Sequence, residues 1–444
     1  MINNLASQQM DDTASYLQHD HWSRAELETY QARALQACRQ YAYAHSPFYQ
    51  RFHQGLTEHP LQELPVLTKT LMMEHFDEIV TDRAIHLQEI KPFLTGVREP
   101  ALFLGRYRVM STSGSTGEPG VFLFSREEGE MVAATFSRFL LWAGLKASTK
   151  MATIASTIPR HMSSSMSFLL HGRPLPRIHL SASEPVESLV RCLNEWQPEG
   201  LATYPSIARV LAEEQRQGRL HIAPHFLFCA SETLSAETRQ RLADTWQVQP
   251  FNIYAATECG VLAAECASHQ GLHLFEDLAI LEIVDQHNQP VPPGTYGAKA
   301  LLTTLFRRTQ PLIRYELSDS VCRSVRELCS CGRPFSLLKG IQGRTADHLS
   351  FSAPSGERVM VNPHIFSQAL DNISAHGWQL VQQSEGLRLL LAGGQGTLQE
   401  EALLQALRQA LAAQGVSVPP IWIEHVAVLP RNESGKVIPI VPAL

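Results

Sequence analysis

The chain has 444 residues, 44% of them apolar and 18% charged, a soluble globular balance with room for a large core and a second, smaller domain. A formal net charge of -6 lacks the basic footprint of a nucleic-acid-binding protein, so nucleic acid is not expected as a partner. The start, Met1 to Thr13, is polar and acidic, without a signal-peptide pattern, and apolar runs such as Phe139 to Leu145 are too short to span a bilayer, so a cytoplasmic protein without a membrane partner is expected.

In chain order, Leu27, Tyr30, Ala34, Cys38 and Tyr41 recur at near-helical spacing and predict helix from Ala25 to about Phe52. Thr68, after Leu64-Pro65-Val66-Leu67, is placed to cap the next helix. Strands are predicted over Tyr107 to Met110, Val121 to Phe124, Met151 to Ser156 and Phe226 to Cys229, and helices over Glu127 to Leu145, Leu189 to Trp196, Ser206 to Gly218 and Ala236 to Trp246. This alternation predicts an α/β fold, with parallel sheets flanked by helices in a large N-terminal domain.

The pattern changes after Gly343-Arg344 to a small α+β domain. Strands are predicted at Val359 to Val361, Gln379 to Gln382, Leu387 to Ala392 and Ile421 to Val428, with a helix from Pro363 to Ile373. A second helix is expected to be capped by Thr397, with Glu400 completing a capping box, to present Leu403, Leu404, Leu407 and Leu411 on one face, and to stop at Gly415. The expected division is 1–344 for the large domain and 348–444 for the small one, a mobile lid.

Several segments carry chemistry. Ser111-Thr112-Ser113-Gly114-Ser115-Thr116-Gly117 sits between two predicted strands, where glycines let backbone N–H groups approach phosphate oxygens and hydroxyls add donors. It is not a Walker P-loop, since no Gly-Lys-Ser/Thr follows. Tyr254-Ala255-Ala256-Thr257-Glu258 offers an aromatic face, a hydroxyl and a carboxylate suited to a base, a phosphate and Mg²⁺. Asp319 can accept from two ribose hydroxyls and Arg344 can donate to the same nucleotide, while Lys436, in the loop Asn432-Glu433-Ser434-Gly435-Lys436, can offset charge at a reaction centre. Taken singly, each is as well explained by a linker, a strand end or a solvated charge.

Together, in this order, the segments resemble the adenylate-forming (ANL) superfamily of acyl-CoA synthetases, luciferases and adenylation domains, and within it the phenylacetate-CoA ligase-like branch. The similarity extends over nearly the whole chain. It includes His45-Ser46-Pro47-Phe48-Tyr49, Leu64 to Lys69, Tyr204-Pro205-Ser206, Ala230-Ser231-Glu232-Thr233-Leu234, Gly271-Leu272-His273 and Cys329-Ser330-Cys331-Gly332-Arg333.

The resemblance implies that Thr112, Ser113, Gly114, Ser115, Thr116 and Gly117 hold the β- and γ-phosphates of ATP, and that Tyr254 and the backbone of Ser231 and Glu232 border adenine. Thr257 would touch the α-phosphate, Glu258 would bind Mg²⁺, Asp319 and Arg344 would hold ribose, and Lys436 would be the adenylation lysine. The implied reaction joins a carboxylate, aryl or arylacetic by family, to AMP with release of pyrophosphate, then passes the acyl group to coenzyme A. A phosphopantetheine thiol on an acyl carrier protein and an amine remain alternative acceptors, a homodimer is a further expectation, and a catalytically silent nucleotide-binding scaffold is the competing class. Two departures from the family pattern stand out. Glu118-Pro119-Gly120 ends the phosphate loop without a lysine, and Ala346 replaces the usual pivot carboxylate after Gly343-Arg344-Thr345.

Of eight cysteines, five lie between Cys259 and Cys331. Cys266, His273, Cys329 and Cys331 form a candidate set for structural Zn²⁺, with His269, Cys259 and Cys322 as competitors and reduced, metal-free cysteines as the alternative. The acyl pocket is expected around Ser156 to Arg160 and His161 to Ser167.

Overall fold

The computed structural model describes residues 16–96, 101–112, 119–164, 176–326, 328–344, 349–361, 364–370, 377–392 and 397–442. The chain divides into two compact units, one of residues 1–148, 157–175 and 251–341, the other of residues 149–156, 176–250 and 342–444.

In the first unit, the long N-terminal helix runs Arg24–His45 from a Ser23–Glu26 capping box. It does not continue to Phe52 as one piece. Ser46, before Pro47, is forced into extended backbone, and its hydroxyl caps a separate helix Pro47–Phe52. Thr68 caps the helix Lys69–Glu74 as expected, its hydroxyl accepting from the Leu71 N–H at 3.2 Å.

Strands Arg108–Ser111 and Val121–Phe124 pair antiparallel, with Ser111 opposite Val121. The helix Arg126–Trp142 follows from a Ser125–Glu128 capping box. It buries Arg138, whose guanidinium lies between Asp20 (3.0 Å) and Asp277 (2.9 Å). Two carboxylates on one buried guanidinium satisfy its donors, without which the burial would cost several kcal/mol.

The strands Phe251–Ala256, Gly260–Glu265, Leu272–Leu274 and Leu337–Arg344 pair antiparallel in sequence, as do Ala279–Val284, Lys299–Thr304 and Tyr315–Leu317 in a second sheet. Parallel pairing is expected from the alternation upstream, but a turn as short as Thr257 to Cys259 cannot carry a crossover.

In the second unit that parallel expectation holds. Arg177–Ser181, Met151–Ala155, Gly200–Thr203 and Phe226–Ala230 pair parallel in that order, alternating along the chain with helices Val186–Trp196, Pro205–Arg216 and Ala236–Trp246. The C-terminal part adds a hairpin, Leu349–Ser352 with Arg358–Val361, and a four-stranded mixed sheet ordered Ile421–Val426, Gly386–Ala392, Gly377–Gln383, Ile440–Val441. The helices His364–Leu370 and Thr397–Ala412 belong to the same α+β part. Leu407 and Leu411 are fully buried, each contributing about 2 kcal/mol of apolar burial, with Leu403 and Leu404 packed beside them. Gly415, at φ 73, follows the helix end, as expected of a stop signal. Among the described residues no helix is long and apolar enough to cross a membrane.

Candidate active site

The Ser/Gly segment is the connection of the Arg108–Ser111 and Val121–Phe124 hairpin. Thr112 closes its neck: its N–H donates to the Gly120 carbonyl at 3.0 Å and its hydroxyl accepts from the Gly120 N–H at 2.8 Å. Ser113, Gly114, Ser115, Thr116 and Gly117 lie outside the described residues.

Tyr254, Thr257, Glu258 and Asp319 all belong to the first unit. Tyr254 is buried near the end of the strand Phe251–Ala256, where a register shift interrupts the ladder. Its hydroxyl donates to Asp319 Oδ2 at 2.8 Å. Burial, reinforced by the Asp319 charge, holds the phenol pKa well above its ordinary value, so Tyr254 stays a donor. Thr257 and Glu258 occupy the turn to Gly260, and Glu258 is buried. Gly260 is required there: at φ +86 a Cβ would stand 2.8 Å from Val132 Cγ1.

Beneath that turn lies Arg307, fully buried. One Nη donates to the Glu258 carbonyl at 2.6 Å and the other to the Leu123 carbonyl, while the guanidinium packs 4.0 Å from the Phe124 ring centroid. It ties the Glu258 turn to the strand Val121–Phe124.

Ser231, Glu232 and Lys436 belong to the second unit. Ser231 follows the strand Phe226–Ala230 with left-handed backbone, φ 69. The Glu232 carboxylate accepts from the Ser206 N–H and hydroxyl, both at 3.0 Å, at the start of the helix Pro205–Arg216. Burial pushes its pKa up, opposed by those two hydrogen bonds and the charges of Lys436 and Arg431. Lys436 Nζ lies 5.2 Å from the centroid of the Tyr204 ring. Gly343 approaches Thr233, while the Arg344 side chain and Ala346–Asp347 lie outside the described residues. His161 is buried, and 165–175, including the end of the expected acyl-pocket segment, are outside them too.

The sulfur and imidazole candidates converge in the first unit. Ligand atoms of Cys266, His273, Cys329 and Cys331 all lie within 4.8 Å of one another. Cys266 and Cys329 Sγ are 3.7 Å apart, and His273 Nε2 is 3.4 Å from Cys266 Sγ and 3.5 Å from Cys331 Sγ. Zn–S bonds of about 2.3 Å in a tetrahedron give an S–S edge of roughly 3.8 Å, so this donor set fits the ion. Burial pushes the Cys266 thiol up to about 11 and holds His273 down to about 4, the latter helped by Arg333. The imidazole is thus neutral and ready to coordinate, whereas a Cys266 thiolate needs a cation to stabilise it. The competitors stand apart: His269 pairs with Glu265 at 3.0 Å, Cys322 donates to the Arg323 carbonyl, and Cys259 is core.

A family model described as AMP-binding enzyme matches residues 107–298. The phenylacetate-coenzyme A ligase of Thermus thermophilus is 26% identical, over 93% of this chain and 96% of that protein. The Escherichia coli K12 protein of the same name is 24% identical over 73% and 72% of the two chains. Residues 107–298 thus match the AMP-binding enzyme family, and the chain is similar to phenylacetate-coenzyme A ligases over nearly its whole length. A crystal structure of 2-hydroxyisobutyryl-CoA ligase in a postadenylation state, with 2-HIB-AMP, shares the fold at TM-score 0.73 and 22% identity, covering 96% of this chain and 91% of that one.

Two further side chains, Tyr204 and Arg307, contact residues of the candidate site. Tyr204 appears in the sequence only as part of a matching tripeptide, and its burial under Lys436 has no local signature. Arg307 stands beside Arg308 in the sequence with no local signal of burial, and the fold buries it.

Proposed function

We propose that this chain is an AMP-forming acid–thiol ligase that activates an aryl or arylacetic carboxylate and transfers it to coenzyme A. The observation that most supports this is the Lys436 ammonium over the Tyr204 ring, near the half-buried Glu232, in a chain that carries an AMP-binding enzyme domain.

A carboxylate is a poor acyl donor because its leaving group would be oxide. Attack of its oxygen on the α-phosphorus of ATP forms the acyl–AMP bond and breaks the bond to pyrophosphate, which departs. The thiol of coenzyme A then attacks the acyl carbon, AMP leaves and the thiol proton is released. Both reactants of the first step are anions, so donors and cations must offset their repulsion.

In this reading the segment Thr112 to Gly117 grips the pyrophosphate side, with the Thr112 neck holding its two strands together. Tyr254 and the backbone at Ser231 and Glu232 border adenine, and Asp319 and Arg344 hold ribose. Thr257 donates to the α-phosphate, and Lys436 stabilises charge that develops on it. Glu258 would hold Mg²⁺, a single carboxylate alongside nucleotide phosphates being an ordinary setting for that ion, which would neutralise phosphate charge. The Cys266, His273, Cys329, Cys331 set would hold Zn²⁺ as a structural pin between the Cys266–His273 segment and the Cys329–Cys331 loop. The large domain is 1–344, and 348–444 acts as a lid whose rotation withdraws Lys436 before the thiol enters.

The test is carboxylate-dependent ATP–pyrophosphate exchange across aryl, arylacetic and fatty acids, followed by thioester formation with coenzyme A. Exchange with an aryl or arylacetic acid is expected. Exchange without thioester formation would shift the acceptor to a carrier-protein thiol or an amine. No exchange with any acid would leave a silent nucleotide-binding scaffold.

A further inference from the structure

We propose that Tyr204 is a positioning residue that docks Lys436 for acyl-adenylate formation, holding the ammonium by its ring and the lysine loop by its hydroxyl. The inference rests on the ligase reading above and deepens it.

Tyr204 is the N-cap of the helix Pro205–Arg216, directly after the strand Gly200–Thr203, and only 3% of it is exposed. Its hydroxyl accepts from the Ser156 N–H at 2.8 Å and donates to the Ser434 carbonyl at 3.3 Å. One oxygen therefore joins the end of the strand Met151–Ala155 to the turn that carries Lys436. The ring face meets Lys436 Nζ at 5.2 Å. A carboxylate at that place would hold the lysine too, but would also neutralise it. An aromatic face orients an ammonium and leaves its charge available for phosphate.

The turn is built to be docked at this spot. Asn432 Oδ1 accepts from the Ser434 N–H (3.0 Å), the Ser434 hydroxyl (2.8 Å) and the Lys436 N–H (3.0 Å), which fixes the backbone around the lysine. Arg431 Nη1 donates to the Ala182 carbonyl at 2.9 Å and to the Gly435 carbonyl at 3.2 Å. Gly435, at φ +77, packs so closely that a Cβ there would stand 2.6 Å from Ala182 Cβ and 3.0 Å from the Ser183 nitrogen. The Glu232 carboxylate, which feels the Lys436 charge, accepts from the Ser206 N–H and hydroxyl. Backbone contacts thus seat the turn, and Tyr204 sets where its cation ends.

Two variants separate the ring from the hydroxyl. Tyr204→Leu should lower pyrophosphate exchange by about 30-fold, the size of a desolvated cation–π contact. Tyr204→Phe, which keeps the ring, should lose about 3- to 10-fold, the size of one buried hydrogen bond. Both should convert supplied acyl-adenylate to thioester within about twofold of the unaltered protein, since Lys436 serves only the first step. Adding Tyr204→Leu to Lys436→Ala should cost nothing further.

A readout independent of activity is the rate of amine acetylation at Lys436, measured by mass spectrometry against exposed Lys91. Tyr204→Leu should raise it severalfold. Equal loss of both half-reactions, or a Lys436 acetylation rate unchanged in Tyr204→Leu, would overturn the proposal. If the unaltered protein shows no exchange with any acid, the ligase reading falls, and the acetylation rates still decide whether Tyr204 docks Lys436.

Discussion

The Tyr254 hydroxyl donates to Asp319 Oδ2 at 2.8 Å, so the aromatic assigned to adenine and the carboxylate assigned to ribose are bonded to each other. The bond occupies one Asp319 oxygen and aims the other. Tyr254→Phe should therefore raise KM for ATP in the exchange reaction by about 12-fold, the lower end expected for loss of a hydrogen bond to a charged group, with little change in kcat. An unchanged KM would show that Asp319 needs no such alignment.

Lys436→Ala should cut acyl-adenylate formation by about 10³-fold, the loss expected on removing a principal charge stabiliser. Thioester formation from supplied acyl-adenylate should persist. Comparing the two half-reactions on one preparation checks this, and equal losses would contradict the assignment.

Protein purified without chelator should contain about one zinc per chain, bound by Cys266, His273, Cys329 and Cys331. Cys331→Ala should lose the metal and lower Tm by roughly 5 °C, while neighbouring structure is retained. The reason for retention is local: Arg333 pairs with Asp20 at 3.5 Å and stacks 4.6 Å from the Trp142 ring, anchoring the loop independently. Absence of stoichiometric zinc by metal analysis would return the cluster to reduced cysteines.

His53 is buried, and burial followed by the Arg39 charge holds its pKa down to about 4 from 6.5. The folded state therefore keeps it neutral, while the unfolded chain binds a proton below pH 6.5. Its contribution is full above pH 6.5 and falls progressively between 6.5 and 4. Urea unfolding at pH 7.5 and pH 5 should show that His53→Phe removes roughly 2 kcal/mol of the stability lost on acidification. An identical pH dependence in the variant would refute the assignment.

Much of the fold was legible because its signals are local. The cap at Thr68, the leucine face ending at Leu411 and the stop at Gly415 are all interactions between near neighbours in sequence. The break at Ser46-Pro47 was equally local, a restriction of backbone before proline that apolar spacing does not register. The antiparallel run after Phe251 was less legible, because apolar patterning marks a strand without giving its direction.

By itself the sequence carried the resemblance to adenylate-forming enzymes and the order of the candidate segments, since these are short runs read from near neighbours. Tertiary structure decided which parts touch. Tyr254 meets Asp319 across 65 positions, Cys266 meets Cys329 across 63, and Tyr204 reaches Ser434 across 230. Closing such separations is set by strand order and by which faces are buried, which no short window of sequence contains. The same holds for Arg307: a guanidinium next to another arginine reads as surface charge, and only a packed core with two carbonyls facing it makes it a buried clamp.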